Sequence, residues 1–277
     1  MYPYKEVFDG IYSTLKKMSP EFRQQFDEDI NEDKGYENHD YSNDVYFNKL
    51  KFIPFYAGFR AEIVKKKKDT INDYFPNYLK TSNYGDNDID RIKIDPDMIR
   101  NEGKIRSCIN NARTFNEIVK KYGSFKQYIN SFETDNSFEN LMLFKEDIEC
   151  KFEYLGPTTS YHFMTDIGLP VLKPDRVILR IFFRLGLIDT HKGKQLIDTP
   201  KGMKLIDTHK GELLLKTVVQ GRKMSEAVGC PIRAVDYTLW RFGQEDNVGV
   251  CLENNPRCDI CEVKKFCIYY AHTMLKT

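Results

Sequence analysis

The sequence has no apolar run long enough to cross a bilayer, which takes about 20 residues, so no membrane span is expected. Its first residues, MYPYKEVFDGIYSTLKK, lack the basic-then-apolar order of a secretory signal. It has no charge imbalance either. The 42 Lys and Arg stand against 41 Asp and Glu, a formal net charge of +1 that neither demands nor excludes nucleic acid. Tryptophan is almost missing, with Trp240 alone. With no export signal, and with unpaired thiols at Cys108, Cys150 and Cys230, the chain reads as a protein of the reducing cytoplasm. Its 277 residues are enough to bury a core and divide into two lobes.

What the chain does have is a concentration of cysteine near its end. Cys251, Cys258, Cys261 and Cys267 follow C-x6-C-x2-C-x5-C, four of the seven cysteines within 17 residues. Thiolates crowded this closely repel one another or oxidise unless a soft metal centre holds them. Four such ligands suit a [4Fe–4S] cluster or a tetrahedral Zn²⁺. Two disulfides are the plain alternative, which a reducing compartment disfavours. The spacing, including Pro256 two residues ahead of Cys258, resembles the iron–sulfur loop of the endonuclease III-like DNA glycosylases. That resemblance implies a [4Fe–4S] cluster. A zinc ribbon would more often show two separated C-x2-C pairs, and only one occurs, so zinc is the less favoured ion.

Ahead of this loop the chain is patterned for helices. Val7, Ile11, Leu15 and Met18 recur at helical spacing within residues 1–25. Residues 26–44 are strongly acidic and read as a solvated loop away from any DNA face. Residues 45–80 read as helical, with Pro54 opening a segment and Pro76 closing the next. Lys65 to Lys68 read as a solvated helix end, and Phe55, Tyr56 and Phe59 as core. Asp95-Pro96 reads as a helix start, followed by a buried face of Ile99, Ile105, Ile109 and Ala112. The segments Arg100-Asn101, Lys104-Ile105, Asn111-Ala112-Arg113 and Gly123-Ser124-Phe125 resemble the 3-methyladenine DNA glycosylase I group.

A second motif lies between these segments and the cysteines. Leu155-Gly156-Pro157 reads as a turn that opens a helix, with Thr158, Thr159 and Ser160 in the first turn. Unpaired N–H groups at such an end suit a phosphate. The helix runs to Gly168 and stops at Pro170, and a short crossing delivers Asp175 ahead of an apolar helix. This order is similar to the helix–hairpin–helix, glycine/proline-rich, aspartate signature of the DNA glycosylase superfamily. The resemblance implies that Asp175 is the catalytic carboxylate, although Asp175 also reads as a helix N-cap. It implies DNA contacts at Leu155, Gly156, Pro157, Thr158 and Thr159, with Lys173, Lys264 and Lys265 as phosphate contacts. Arg180 and Arg184 read as exposed or interlobe groups. Two positions depart from the family: Tyr154 stands where the hairpin usually has another glycine, and Thr158 where bifunctional members have lysine. Without that amine no Schiff base with the sugar forms, so strand cleavage is not expected.

Residues 187–211 hold three tandem copies of a nine-residue repeat beginning LIDT, from Leu187, Leu196 and Leu205. Three short copies make no solenoid; they read as an inserted excursion of hairpins or loops, with His191 and His209 as surface residues and not ligands. Residues 224–243 return to helix, with Trp240 just ahead of the cysteine loop, and packing between that helix and the cluster is expected in place of base stacking.

The fold expected is all-α with two lobes. Residues 1–48 form an N-terminal helix and acidic loop packed with the C-terminal lobe, 49–172 a helical barrel-like domain ending in the hairpin, and 173–277 the cluster domain. DNA would lie in the groove between the lobes. The function implied is a monofunctional DNA N-glycosylase, acting as a monomer on double-stranded DNA with a modified base and with no membrane partner. Its place would be the cytoplasm, at the nucleoid in a prokaryote. The best substrate is an alkylated purine such as 3-methyladenine; alternatives are a hypermodified or oxidised base, or a non-catalytic iron–sulfur DNA-binding protein.

Overall fold

The computed structural model describes residues 2–19, 24, 41–59, 61–189, 196–199, 202–205 and 210–274. In chain order the helices are α1 (Tyr4–Met18), α2 (Asn43–Tyr56), α3 (Ala61–Lys66), α4 (Lys68–Tyr74), α5 (Tyr78–Thr81), α6 (Asp86–Ile94) and α7 (Glu102–Tyr122). They continue with α8 (Phe125–Asn130), α9 (Phe138–Lys151), α10 (Thr159–Asp166) and α11 (Arg176–Arg184). After the hairpin β1 (Leu196–Thr199) and β2 (Gly202–Leu205) come α12 (Lys210–Val228), α13 (Ile232–Gly243), a 3₁₀ turn (Lys264–Phe266) and α14 (Ile268–Met274). The regular structure among the described residues is thus helical apart from this antiparallel hairpin, in which Leu196 pairs with Leu205 and Thr199 with Gly202. The hairpin falls in the LIDT repeat. Pro200, His191 and His209, and residues 26–40 of the acidic stretch, lie outside the described residues.

The chain divides into two compact units, residues Met1–Asn38 with Pro170–Thr277, and residues His39–Leu169. The boundaries precede the expected 48/49 and 172/173. The reason for the first is aromatic: Tyr46 and Phe47 of α2 pack within the second unit, against Phe125 at 5.2 Å and Phe115 at 5.7 Å between ring centroids.

In the second unit α7 is the spine, packed by α2, α5, α6 and α8. Asn101 caps it, accepting from the Lys104 N–H at 3.1 Å, and Gly123 ends it with φ of 87°, a left-handed turn that suits glycine. Ile105, Ile109 and Ala112 are buried along it, as their spacing predicts. Two expectations fail here. Asp95-Pro96 does not begin a helix; it is the turn after α6, where Asp95 accepts from the Asp97 N–H and the Tyr74 hydroxyl, both at 2.7 Å. An aspartate that binds the amide two residues on makes a local turn and competes with a helix start. Pro54 does not open a segment but sits inside α2, in its final turn. Having no N–H, it forfeits the bond to the carbonyl four residues back, while its own carbonyl accepts from the buried Lys104 ammonium.

The first unit packs α1, α11, α12 and α13 together. Val7, Ile11 and Leu15 are fully buried on α1. Gly221 on α12 permits a close approach: a Cβ there would stand 1.9 Å from Leu172 Cδ2. This seats the crossing that leads to Asp175. Gly243 does the same for α11, where a Cβ would stand 2.5 Å from Val177.

Lys51 lies in the interior of the second unit, 2% exposed, and donates to the Phe75 carbonyl at 2.7 Å. Burial pushes its ammonium down from 10.5 to about 8. The fold therefore carries a buried charge below that value and is relieved of it as pH rises toward the unfolded value. Replacing Lys51 with Met should favour the variant at neutral pH, and its relative advantage should shrink by about 1–3 kcal/mol between about pH 8 and 10. Urea unfolding of both proteins at the two pH values measures this; a difference that does not change with pH refutes it.

Candidate functional site

The hairpin between α9 and α10 is held by side chains and not by glycine. Tyr154, at the position where a second glycine was expected, has φ of 63°, a left-handed conformation that costs a non-glycine residue about 1–2 kcal/mol. The turn is therefore the glycine-type turn made without the glycine. Two neighbours hold it there. Asn111, 1% exposed on α7, clamps the Glu153 backbone from both sides: its amide donates to the carbonyl at 3.0 Å and its oxygen accepts from the N–H at 2.8 Å. Thr159 Oγ1 accepts from the Gly156 N–H at 2.7 Å and donates to the Tyr154 carbonyl at 2.6 Å. The Tyr154 ring lies over the Lys104 ammonium at 4.9 Å.

This changes how the predicted phosphate contacts read. The Gly156 N–H is already given to Thr159, and Leu155 is 3% exposed, so neither its side chain nor that amide faces outward. Pro157 is exposed, and Thr158 and Thr159 open α10 with partly exposed side chains. Downstream on α10, His162 Nε2 stands 3.4 Å from Asp166 Oδ2 and its ring 5.6 Å from that of Tyr56. Tyr56, expected in the core, is partly exposed.

Asp175 is the N-cap of α11. Its Oδ1 accepts from the Val177 N–H at 2.9 Å and the Ile178 N–H at 3.2 Å. Its Oδ2 has no hydrogen-bond partner among the described residues, and the residue is partly exposed. One oxygen is thus anchored and the other is available. Lys173 is partly exposed and Arg176 exposed on either side of it. A carboxylate that the sequence reading missed lies behind this segment. Asp236 of α13 accepts the Lys173 N–H at 2.9 Å and pairs with Arg233 at 3.1 Å. Its signal was legible: an aspartate on the apolar face that carries Ile232, Val235 and Leu239.

The far end of α11 meets the cysteine loop. Arg180 and Arg184 are buried, 5% and 3% exposed, which corrects the expectation that they are exposed or interlobe groups. Arg180 donates to the Cys251 carbonyl at 3.1 Å and to the Gly243 carbonyl at 2.5 Å. Arg184 donates to the Leu252 and Glu253 carbonyls at 2.6 and 3.0 Å and to Cys251 Sγ at 3.3 Å. A guanidinium has five donors in a rigid fork, so one side chain can satisfy several loop carbonyls that no helix or strand would.

All seven cysteines are free of disulfides. Cys251, Cys258, Cys261 and Cys267 line one small cavity of about 30 Å³, together with Arg184, Arg257 and Lys264. Burial pushes the Cys258, Cys261 and Cys267 thiols up, Cys261 to about 12, and the neighbouring sulfurs add to each shift. Among the described residues no group of three or more His, Cys, Asp or Glu side chains is arranged to hold a metal ion. The donor chemistry nonetheless fits a sulfur-bound centre: four uncrosslinked thiols and three cationic side chains, Arg184, Arg257 and Lys264, share one cavity, and the Arg184 Nε is buried without a hydrogen bond. Lys264 and Lys265 are exposed on the 3₁₀ turn ahead of Cys267. The helix α13 meets this loop through Phe242, which lines the cavity, while Trp240 is 38% exposed beside Tyr237.

A family model described as methyladenine glycosylase matches residues 27–171, just over half of the chain. The chain belongs to the methyladenine glycosylase family. It is a DNA glycosylase of base excision repair. The match ends four residues before Asp175, so neither that carboxylate nor the cysteine loop falls within it. Solved structures similar to this glycosylase include 3-methyladenine DNA glycosylase I from Staphylococcus aureus, 23% identical over 48% of this chain and 80% of that one, with a TM-score of 0.42. The 8-oxoguanine glycosylase/lyase of Methanocaldococcus jannaschii, in complex with DNA containing 8-oxoguanine, is 20% identical over 85% of this chain and 96% of that one, TM-score 0.52. The 8-oxoguanine DNA glycosylase of Thermotoga maritima is 17% identical over 88% and 98%, TM-score 0.50. These last two share the fold across both units of this chain. No helix among the described residues is long and apolar enough to cross a membrane.

Removing the Asn111 amide leaves the Glu153 N–H and carbonyl without their partners. Asn111→Ala should destabilise the glycosylase by about 2 kcal/mol, read as a lower denaturant midpoint with an unchanged slope. An unchanged midpoint would show that water replaces the clamp at no cost.

Proposed function

We propose that this glycosylase is monofunctional and releases an alkylated purine, best 3-methyladenine, from double-stranded DNA, using Asp175 as its reacting carboxylate. The observation that carries the reading is the Asp175 side chain itself. One oxygen caps α11, which orients the group, while the other has no partner among the described residues. The protein first extrudes the damaged nucleotide, at a cost of a few kcal/mol. As the N-glycosidic bond breaks, positive charge develops on the sugar. A preoriented carboxylate favours that charge and accepts a proton from the attacking water. Thr158, where a lysine nucleophile would stand, supports release of the base without strand cleavage.

DNA would meet Pro157, Thr158 and Thr159 through the start of α10, and Lys173, Lys264 and Lys265 through phosphate charge. Cys251, Cys258, Cys261 and Cys267 would hold a [4Fe–4S] cluster. When bound, it would be a structural crosslink for the loop and not a redox catalyst. A cluster is favoured over zinc by the spacing, which holds a single C-x2-C pair where a zinc ribbon would more often show two. The protein would act as a monomer in the cytoplasm. An oxidised purine is the second reading, supported by the 8-oxoguanine glycosylases whose fold spans most of this chain.

Duplexes carrying 3-methyladenine, 8-oxoguanine and a hypermodified base, scored separately for free base and for strand breaks, test this. We expect free 3-methyladenine without strand breaks, loss of release by at least about 100-fold in Asp175→Asn, and retained duplex binding. A borohydride-trapped covalent adduct refutes the monofunctional reading, and full activity in Asp175→Asn refutes the carboxylate. An absorbance band near 400 nm that disappears in Cys258→Ser would support the cluster, and stoichiometric zinc would overturn it.

A further inference from the structure

Asp236 is 7% exposed on α13 and lies on the helix face that carries Ile232, Val235 and Leu239. Burying a carboxylate there costs free energy that an apolar residue of similar size would not. Its bonds give a reason for it. We propose that Asp236 is a positioning residue: through the Lys173 amide, its carboxylate sets where the Asp175 carboxylate stands. The inference rests on Asp175 being the reacting group.

The links are short and continuous. Asp236 Oδ1 accepts the Lys173 N–H at 2.9 Å. The Lys173 carbonyl accepts the Asp175 N–H at 2.8 Å, across Pro174. Asp175 Oδ1 then caps α11. The crossing 170–175 belongs to no helix or strand, so its backbone has no ladder to fix it. A charge-assisted bond from a buried side chain supplies that fixation, and the buried Leu172, seated against Gly221, supplies the packing. The charged groups facing Asp236 are Arg233 from its own helix, with Lys173 and Asp175 from the crossing. Burial above all, and the charge of Asp175, raise Asp236 to about 6, while Arg233 and the Lys173 N–H oppose the rise. Ionised, Asp236 is a strong acceptor for Lys173; protonated below that pH, it is a weaker one. The hold on Asp175 therefore loosens as pH falls through about 6.

The full-length protein and its Asp175→Asn, Asp236→Ala and Asp236→Asn variants are compared for release of 3-methyladenine from methylnitrosourea-treated duplex DNA, from about pH 5 to 8. Binding to a duplex with a tetrahydrofuran abasic analogue and thermal unfolding are measured alongside. Asp236→Ala should lower the release rate about 10- to 100-fold with abasic-duplex binding unchanged. Asp236→Asn keeps an oxygen for the Lys173 N–H, so it should recover most of the rate near pH 8 and lose the limb near pH 6. Full release by Asp236→Ala, beside an inactive Asp175→Asn, overturns this proposal alone. Equal loss in both Asp236 variants, with a parallel loss of binding and of Tm, also overturns it. Full release by Asp175→Asn instead overturns the reading on which it rests. A readout independent of substrate is the Lys173 amide resonance in ¹⁵N NMR. It should move with a midpoint near pH 6 in the wild type and stay still in Asp236→Asn; a Lys173 amide that does not titrate in the wild type sinks the proposal whatever base is released.

Discussion

Two buried guanidinium groups tie the helix α11 to the cysteine loop. Arg180 and Arg184 leave α11 one and two turns after Asp175 and satisfy carbonyls of Gly243, Cys251, Leu252 and Glu253. The loop they hold has little regular structure of its own, so its backbone acceptors need partners from elsewhere. Because the same helix is capped by Asp175, its position and that of the cysteine loop depend on one rigid rod. The cost of burying two cations is met here by carbonyl acceptors and by Glu245 and Glu253 at 3.4 and 3.9 Å from Arg180.

The hairpin in the second unit solves a related problem by other means. A turn that ordinarily calls for glycine is made with Tyr154 in a left-handed conformation. The strain is tolerated because Asn111 and Thr159 together make four hydrogen bonds to the turn backbone. Strained backbone persists only where its surroundings over-determine it, and here the surroundings are polar side chains reaching in from α7 and α10. The family match covers this half of the chain and stops before Asp175. The fold of the 8-oxoguanine glycosylases extends across the rest. Family membership thus rests on one half of the chain, and the fold on most of it.

Much of this was legible in the residues. The 3.6-residue spacing of Val7, Ile11 and Leu15, and of Ile105, Ile109 and Ala112, marks faces that are buried. The N-cap role of Asp175 follows from a carboxylate placed just before an apolar helix. Other features were not legible, and the misreadings have physical causes. Pro54 looks like a helix start because proline favours that position, yet it sits in the last turn of α2, where its carbonyl is taken up by Lys104. Asp95-Pro96 carries the same signal, but Asp95 turns back on its own backbone. Arg180 and Arg184 look like surface charges because nothing local names the carbonyls that take them up.

The sequence by itself determined the helical class, the crowding of four thiols and the order of hairpin, carboxylate and cysteine loop. These follow from periodicity, from residue type and from spacing along the chain, all of which are local. Only the tertiary structure decided that Asp236 reaches Lys173 across 63 positions, that Asn111 clamps Glu153 across 42, and that two arginines are buried in the cysteine loop. A buried polar group is defined by the partner that packing brings to it, and no pattern of neighbours along the chain names a partner so far away.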